Sequence, residues 1–341
     1  MTAGGESNPR VHPAHSTEVT VVGAGIVGLC CAYVLSSADI SVRLIAASKG
    51  VDDSCCSWWA GGMLAPWCEG ESAEPQVVSM GIDSLAIWRQ LYPELPNSGT
   101  LVVAPARDVP DLRRFAKLTE RWQRLDQTKI AELEPDLVGR FSSALFFEDE
   151  SYFDPRHVLP DLVEKLRQRG VVLEFERQVD PTELATGADN WIVDCRGLAA
   201  RDQLPDLRGV KGEMLIVRCP DVSLHRPIRL LHPRVPVYIV PREQNLFMIG
   251  ASMVENDERG RATVRSVMEL LSAAVVVHPA FAEAEIIEIG VDARPSFPDN
   301  CPRVVKRDNL LYANGTYRHG YLTAPALAHE VTDIVVGRNV V

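Results

Sequence analysis

The chain has 341 residues, of which 46% are hydrophobic, and its formal net charge is −11. This length and apolar content predict a globular protein of about two domains. Because acidic residues outnumber basic ones, 46 to 35, neither nucleic acid nor an anionic membrane surface is an expected partner.

Residues 1–16 are rich in Gly, Pro, Ser and His and are expected to form a flexible segment. They contain no apolar stretch typical of a signal peptide, and no apolar run in the chain reaches membrane-spanning length. The eight cysteines form no C-x-x-C pair and have no metal-ligand spacing with histidine, so we expect reduced thiols and no metal. The expected compartment is the cytoplasm. The sequence is compatible with a monomer or a homo-oligomer.

The first elements alternate between strand and helix. Residues 18–22 predict a strand, 26–36 a helix and 40–45 a second strand, which together form a βαβ unit. Residues 54–66 are rich in Gly, Ser, Cys and Trp and predict a loop that leads into a helix. The helical pattern resumes at residues 77–91.

From residue 100 onward strands predominate. Residues 100–105 and 144–147 are predicted strands, and the helical patterns are at 109–125 and 160–169. The short apolar segments 171–175 and 191–194 are expected to return to the first sheet. Further strands are predicted at 211–218, 237–241 and 246–251, followed by a helix at 264–276.

These elements predict an α/β fold with a Rossmann-like nucleotide-binding domain. A discontinuous second domain of the α+β type is expected to be built on a mainly antiparallel sheet. We assign residues 17–80, 151–210 and 292–341 to the nucleotide-binding domain, and residues 81–150 and 211–291 to the substrate domain.

The first predicted strand ends in a G-x-G-x-x-G motif, formed by Gly23, Gly25 and Gly28. In a strand–turn–helix context these glycines permit a tight turn, a close approach of pyrophosphate and close packing of helix on strand. Amide groups at the helix start can then bind the phosphates. The motif therefore predicts a dinucleotide site.

One position departs from this fingerprint. An acidic residue normally follows the second strand and receives the ribose hydroxyls, but this chain has Ala46 there. Ser48 and Lys49 follow, and they are compatible with a 2′-phosphate. On this segment alone NADP is an alternative cofactor.

Several further segments occur in a characteristic order. They are SWWAGGMLAP (57–66), VKGE (210–213), YIVPR (238–242), GASM (250–253), ARP (293–295) and TYRHG (316–320). Together the chain from residue 19 to residue 336 resembles the FAD-dependent amino acid oxidases of the D-amino acid oxidase/sarcosine oxidase superfamily, and within it the glycine oxidases.

The resemblance implies non-covalent FAD in the first domain, with residues 57–63 running along the flavin and the C-terminal glycines beneath it. A helix that starts near Gly320 would direct its positive end at the flavin. The implied FAD contacts are Gly23, Gly25, Ile26, Val27, Gly28, Ser57, Ala60, Gly61, Gly62, Met63, Val179, Gly197, Gly315, Tyr317, Arg318, His319, Gly320, Tyr321 and Leu322.

The same resemblance implies a substrate pocket lined by Arg318, Arg294, Tyr238 and Met253. A guanidinium offers two parallel donors that match a carboxylate, which suits an amino acid substrate. Arg318 is expected to be the main residue that binds the substrate carboxylate.

The implied activity is oxidative deamination of glycine, which gives an imine, then glyoxylate and ammonia, with hydrogen peroxide formed from oxygen. Such enzymes serve thiamine biosynthesis, so transfer of the imine to a thiazole synthase is an implied partnership. Sarcosine, small D-amino acids and N-carboxymethyl amines are alternative substrates. A paralogue that binds flavin without turnover is a further alternative, because Ala46 departs from the usual pattern.

Overall fold

The structure is a computed structural model that describes residues 17–185, 190–232 and 236–338. Residues 1–16, which the sequence predicts to be flexible, lie outside the described residues. The described strands, in chain order, are β1 (Glu18–Val22), β2 (Ser41–Ile45), β3 (Met63–Leu64), β4 (Thr100–Val103), β5 (Gln123–Asp126), β6 (Ser143–Phe147), β7 (Ser151–Tyr152), β8 (Val172–Glu174), β9 (Asn190–Asp194), β10 (Arg208–Arg218), β11 (Ile228–Leu230), β12 (Val237–Pro241), β13 (Leu246–Gly250), β14 (Glu285–Ser296), β15 (Arg303–Arg307) and β16 (Leu310–Asn314).

The helices are built on the same described segments. They are α1 (Ile26–Ser37), α2 (Pro66–Glu69), α3 (Pro75–Leu91), α4 (Val109–Leu118), α5 (Gln127–Leu133), α6 (Pro155–Gln168), α7 (Pro181–Leu184), α8 (Val264–Val277) and α9 (Gly320–Val335). None of these described helices is long and apolar enough to cross a membrane.

A six-stranded sheet has the order β15-β16-β9-β1-β2-β8. Its strands are parallel except for β15, which pairs antiparallel with β16 at the edge. The segments predicted at 171–175 and 191–194 do return to this sheet, as β8 and β9. Strands β1 and β9 are mostly apolar because helices cover both faces of a sheet of this kind.

An eight-stranded sheet has the order β14-β10-β13-β12-β11-β4-β6-β5. Its pairs are antiparallel except for β11 with β4. The expected fold class, a Rossmann-like unit with a mainly antiparallel second sheet, is therefore confirmed. The predicted boundaries at 210/211 and 291/292 fall within β10 and β14, and the division into two domains stays a prediction.

Helix α1 is buried along most of its length, since its apolar residues contact the parallel sheet on one side and α9 on the other. The first residues of the two helices are neighbours, because a Cβ on Gly320 would lie 3.4 Å from the Ile26 side chain. The amino ends of α1 and α9 therefore open at the same place.

One predicted element is wrong in its second half. The helix expected over 109–125 ends at Leu118, and residues 123–126 form β5 instead. Arg121 adopts a left-handed backbone conformation, with φ of 58°, which a continuing helix cannot include. Leu125 then points into the core from β5.

Candidate active site

A cavity of about 670 Å³ lies where the two sheets meet. The parallel strands β1, β2, β9 and β16 all end at it, through Gly23, Ala46, Cys195 and Asn314. Ligands of open parallel sheets bind beyond the carboxyl ends of the strands, where these residues lie. The antiparallel sheet forms another wall, which includes Met214, Tyr238, Met248 and Arg294.

The amino end of α1 opens into this cavity. Gly25 caps the helix without a side-chain hydrogen bond, and the first turn contains no acidic residue. The amide of Ile26 donates to Ser57 Oγ at 3.0 Å, which joins the helix start to the 57–63 segment. An uncapped helix start with positive partial charge is suited to bind an anionic group such as pyrophosphate.

The 57–63 segment passes along the cavity as a 3₁₀ turn (Cys56–Trp59) followed by β3. The buried Arg242 holds it in place, because this side chain donates to the carbonyl oxygens of Gly61 at 2.7 Å and Phe153 at 2.9 Å. The cavity wall here is therefore tied to the end of β12.

The segment that precedes α9 reaches the same cavity. Tyr317 donates its amide to the Pro295 carbonyl at 2.8 Å, which links it to β14. Two distant parts of the sequence thus meet. The predicted cofactor residues that line the cavity are Gly23, Gly25, Ile26, Val27, Ser57, Ala60, Gly61, Gly62, Met63, Val179, Gly197, Tyr317, Arg318, Gly320 and Tyr321.

Four predicted cofactor residues are not among those lining the cavity. Gly28 lies against the Gly23 carbonyl, Gly315 against the Phe297 ring, and Leu322 packs on Gly81 of α3. His319 is buried, and burial lowers its pKa to about 4. These four residues pack against other parts of the protein next to the cavity and do not line it.

All four predicted substrate residues do line the cavity: Arg294, Arg318, Tyr238 and Met253. Met253 is partly exposed, and its Sδ lies 3.5 Å from both the Tyr317 hydroxyl and Arg318 Nη1. It therefore covers the guanidinium of Arg318 from the solvent side.

Arg318 has a protein partner that the sequence analysis did not identify. Its Nη2 lies 3.1 Å from Glu69 Oε2, and the Tyr238 hydroxyl donates to Glu69 Oε1 at 2.7 Å. Burial alone would raise the pKa of Glu69, but Arg318, together with His319 and Arg229, lowers it to about 2. A buried, ionised carboxylate thus occupies the donors predicted for the substrate.

Arg294 reaches the cavity from β14 and crosses over Gly212 on the neighbouring strand β10. A Cβ at Gly212 would overlap the guanidinium, so this path requires glycine. Arg294 Nη1 donates to the Ser252 carbonyl at 3.0 Å, and burial lowers the pKa of Arg294. Arg294 lines the cavity, and this is the one hydrogen bond that its guanidinium donates to the described residues.

The arginines that line the cavity differ in their counter-ions. Arg294 has no carboxylate within ion-pair distance among residues 17–185, 190–232 and 236–338, whereas each of the others has one. The pairs are Arg177 with Glu174, Arg196 with Asp194, Arg259 with Asp292 and Arg318 with Glu69. Within the described part of the chain, Arg294 is therefore the uncompensated cation of the cavity wall.

Comparison with known proteins identifies the family. The profile described as FAD dependent oxidoreductase matches residues 18–334. The chain belongs to this family of FAD-dependent oxidoreductases. FAD is therefore the cofactor, and the alternative of NADP is wrong. In the structure Ser48 already donates its hydroxyl to the Gly50 carbonyl at 2.7 Å, and Lys49 does not line the cavity.

Individual relatives agree with the family match. A protein of Rhizobium etli named as a candidate thiamine biosynthesis oxidoreductase, ThiO, is 48% identical over 320 residues, which cover 92% of this chain and 94% of that protein. The bifunctional protein ThiO/ThiG of Synechocystis is 25% identical over 350 residues, which cover 95% of this chain and 52% of that protein.

A solved structure confirms the fold. The crystal structure of glycine oxidase from Geobacillus kaustophilus aligns with a TM-score of 0.79 at 22% identity, and the alignment covers 94% of this chain and 95% of that one.

The cavity fits FAD in its shape and in its donors. It extends from the amino end of α1, past the 57–63 segment, to Arg294 and Arg318. The glycine-rich turn leaves room for a pyrophosphate, and Ala46 leaves the ribose end without the usual carboxylate. Binding of the ribose then depends on other groups, among which Arg177 and Val179 line the cavity.

A second buried carboxylate stands behind the pocket. Glu150 Oε1 accepts the amide of Cys68 at 2.7 Å, and Oε2 has no hydrogen-bond partner in the described structure. Burial raises the pKa of Glu150 from 4.5 to about 7, so the folded protein holds this proton more tightly than the unfolded chain. The resulting stabilisation is present below about pH 4.5 and is lost as the pH rises through about 7.

This shift predicts the effect of Glu150→Gln on stability. The amide is uncharged at every pH and keeps an acceptor for the Cys68 amide, so the variant should gain thermal stability relative to wild type as the pH rises from about 5 to about 8, by about 1–3 kcal/mol. Thermal midpoints across this range measure the effect. The exposed Glu148→Gln is the matched control. Parallel pH profiles for wild type and Glu150→Gln would contradict the prediction.

Proposed function

We propose that this protein catalyses the FAD-dependent oxidative deamination of glycine. The observation that carries the proposal is the uncompensated Arg294 at the wall of a cavity that begins at a dinucleotide-binding turn. A partly buried guanidinium with open donors favours a planar anion such as a carboxylate. Relatives named glycine oxidase support this choice of substrate.

Residues at one end of the cavity would bind the cofactor, and residues at the other end would bind the substrate. The amino end of α1 would hold the pyrophosphate, and the 57–63 segment and the start of α9 would lie beside the flavin. Bound FAD would supply the two-electron acceptor for this reaction, in which the amine would be oxidised to an imine and oxygen would be reduced to hydrogen peroxide. Arg294 seats the carboxylate and so fixes the α-carbon, while Met253 limits access of water.

The enzyme releases the imine as its product. Water adds to the C=N bond, and glyoxylate and ammonia result. We also propose that in the cell the imine is used for the thiazole of thiamine. Relatives named as bifunctional ThiO/ThiG proteins support this second step. This chain matches 52% of their length, so a ThiO-like part and a second part share one polypeptide there.

Anaerobic mixing of the purified holoenzyme with amines tests the proposal. Glycine should bleach the flavin absorbance faster than sarcosine or D-alanine does, and admission of air should restore the colour with formation of hydrogen peroxide. Glyoxylate and ammonia should appear in equal amounts.

The alternatives give different results in the same experiment. Faster bleaching by sarcosine, D-alanine or an N-carboxymethyl amine would reassign the substrate. No bleaching by any of them, from protein that retains FAD, would favour a paralogue without turnover and contradict the proposal.

A further inference from the structure

Glu69 occupies an unusual position for a carboxylate. It ends α2, it is only 6% exposed, and it lines the cavity beside Arg318. The Tyr238 hydroxyl and Arg318 Nη2 both reach its Oε1, at 2.7 and 3.2 Å. The chain's own carboxylate is thus bound where a substrate carboxylate could otherwise bind.

The backbone around Glu69 is fixed from both sides. The amide of the preceding residue, Cys68, donates to Glu150, and the carbonyl of Cys68 accepts from Arg229 Nη1 at 3.1 Å. Arg229 is fully buried and lies 3.9 Å from Glu69 Oε1. These contacts fix the backbone at Glu69, and its side chain is held by the Tyr238 hydroxyl and Arg318, so its charge lies beside Arg318.

We infer that Glu69 is a specificity-determining residue that restricts the pocket to substrates with a single carboxylate. This inference rests on the proposed function, in which Arg294 seats the substrate carboxylate. A second carboxylate near Arg318 would meet a guanidinium that is already paired and would be repelled by Glu69. Amines with one carboxylate are therefore accepted and dicarboxylic amines are rejected.

The charge pattern gives this selection a physical basis. Arg318 and Glu69 together contribute no net charge to the cavity wall, and Arg294 contributes one positive charge. That balance matches one carboxylate. Without the charge of Glu69, the wall would present two uncompensated guanidinium groups and would match two carboxylates.

Binding of two simple anions to the holoenzyme tests the inference without turnover. Acetate has one carboxylate and malonate has two, and each can be titrated by its effect on the visible spectrum of the bound flavin. Wild type should bind acetate more tightly than malonate. In Glu69→Gln the affinity of malonate relative to acetate should rise by about 10- to 100-fold, because Arg318 gains a free charge-assisted bond.

Two further variants separate charge from a general disturbance. Glu71→Gln is the matched control, since Glu71 pairs with Arg229 at 3.1 Å and does not line the cavity, and its ratio should equal that of wild type. Glu69→Asp keeps the negative charge and should still bind acetate more tightly than malonate. If Glu69→Gln does not fold, tighter binding of malonate than of acetate by wild type or by Glu69→Asp would still overturn the inference.

The outcomes distinguish this inference from the proposed function. An unchanged ratio in Glu69→Gln, or tighter binding of malonate by wild type, would overturn the role of Glu69 even if glycine bleaches the flavin. Conversely, the expected ratios in protein that glycine does not reduce would support the inference and contradict the proposed function. If neither anion alters the spectrum, the inference is overturned, and bleaching by glycine decides the proposed function separately.

Discussion

Replacement of Arg294 by methionine is expected to lower kcat/KM for glycine by about 30- to 5,000-fold. The substrate carboxylate would lose its charged partner in a partly buried site, a loss of about 2–5 kcal/mol. Thermal stability and FAD content should stay close to wild type, because no carboxylate of the described residues lies within ion-pair distance of Arg294. Steady-state kinetics and the flavin-to-protein ratio measure the two effects.

Two other arginine variants sharpen this prediction. Arg294→Lys keeps the charge but loses the planar pair of donors, so its activity should fall between that of wild type and that of the methionine variant. Arg218→Met is the matched control on the strand paired with β14, where Arg218 contacts Glu285 at the surface. Wild-type kinetics are expected for it.

Arg318→Met should behave differently from Arg294→Met. It would leave the buried Glu69 without its main counter-ion and should lower stability by about 3–5 kcal/mol. If Arg318→Met loses both glycine oxidation and stability, the role of Arg318 is therefore to pair with Glu69. If Arg294→Met retained wild-type kcat/KM while a stable Arg318→Met lost it, the carboxylate seat would belong to Arg318.

The βαβ unit of the parallel sheet was predictable because its sequence signals are local, whereas β15 and β16 at the other end of the sheet were not predicted. The strand β1, the helix α1 and the strand β2 follow one another with short connections, and the G-x-G-x-x-G motif lies between the first two. Strand β12 was predicted at its observed bounds, since its residues form a short β-branched run. In each case the neighbouring residues alone favour the observed conformation.

Strand β14 could not be predicted in the same way. It is an edge strand whose first residues are mostly exposed, and consecutive Ile286 and Ile287 break the alternation of a half-buried strand. The register with β10 shifts here: Val217 pairs with Ile286 and Ile216 with Glu288, which leaves Ile287 unpaired in this ladder. An extra residue of this kind removes the period-2 signal on which prediction depends.

The ion pair between Arg318 and Glu69 also could not be predicted from the sequence. Arg318 and Glu69 are 249 positions apart, and only the return of the chain to the cavity brings them together. The one sequence signal is that Glu69 directly follows the apolar residues 63–68, shortly after the 57–66 segment. Residue types indicated a carboxylate-binding pocket, but the choice between its two guanidinium groups required knowledge of their counter-ions.

Replacement of Gly28 by alanine is expected to disrupt both the fold around the cofactor and FAD binding. A Cβ at this position would overlap the Gly23 carbonyl oxygen and approach the Cys195 side chain to 3.3 Å. Both neighbours directly follow buried strands and cannot move easily. Overpacking of this kind lowers stability by about 1–3 kcal/mol, and the displaced α1 would no longer present its amides to the pyrophosphate.

Gly25→Ala separates these two effects. A Cβ at Gly25 would lie 3.4 Å from Ser57 Oγ and 3.6 Å from Cys55 Sγ, which are ordinary contacts, so the apoprotein should keep its thermal midpoint. The methyl group would still extend into the cavity, where the pyrophosphate approaches, and FAD affinity should fall. Gly50→Ala, with no described neighbour within 4 Å, is the matched control. If Gly28→Ala retained the wild-type midpoint and FAD content, close packing of α1 on the sheet would not be required at this turn.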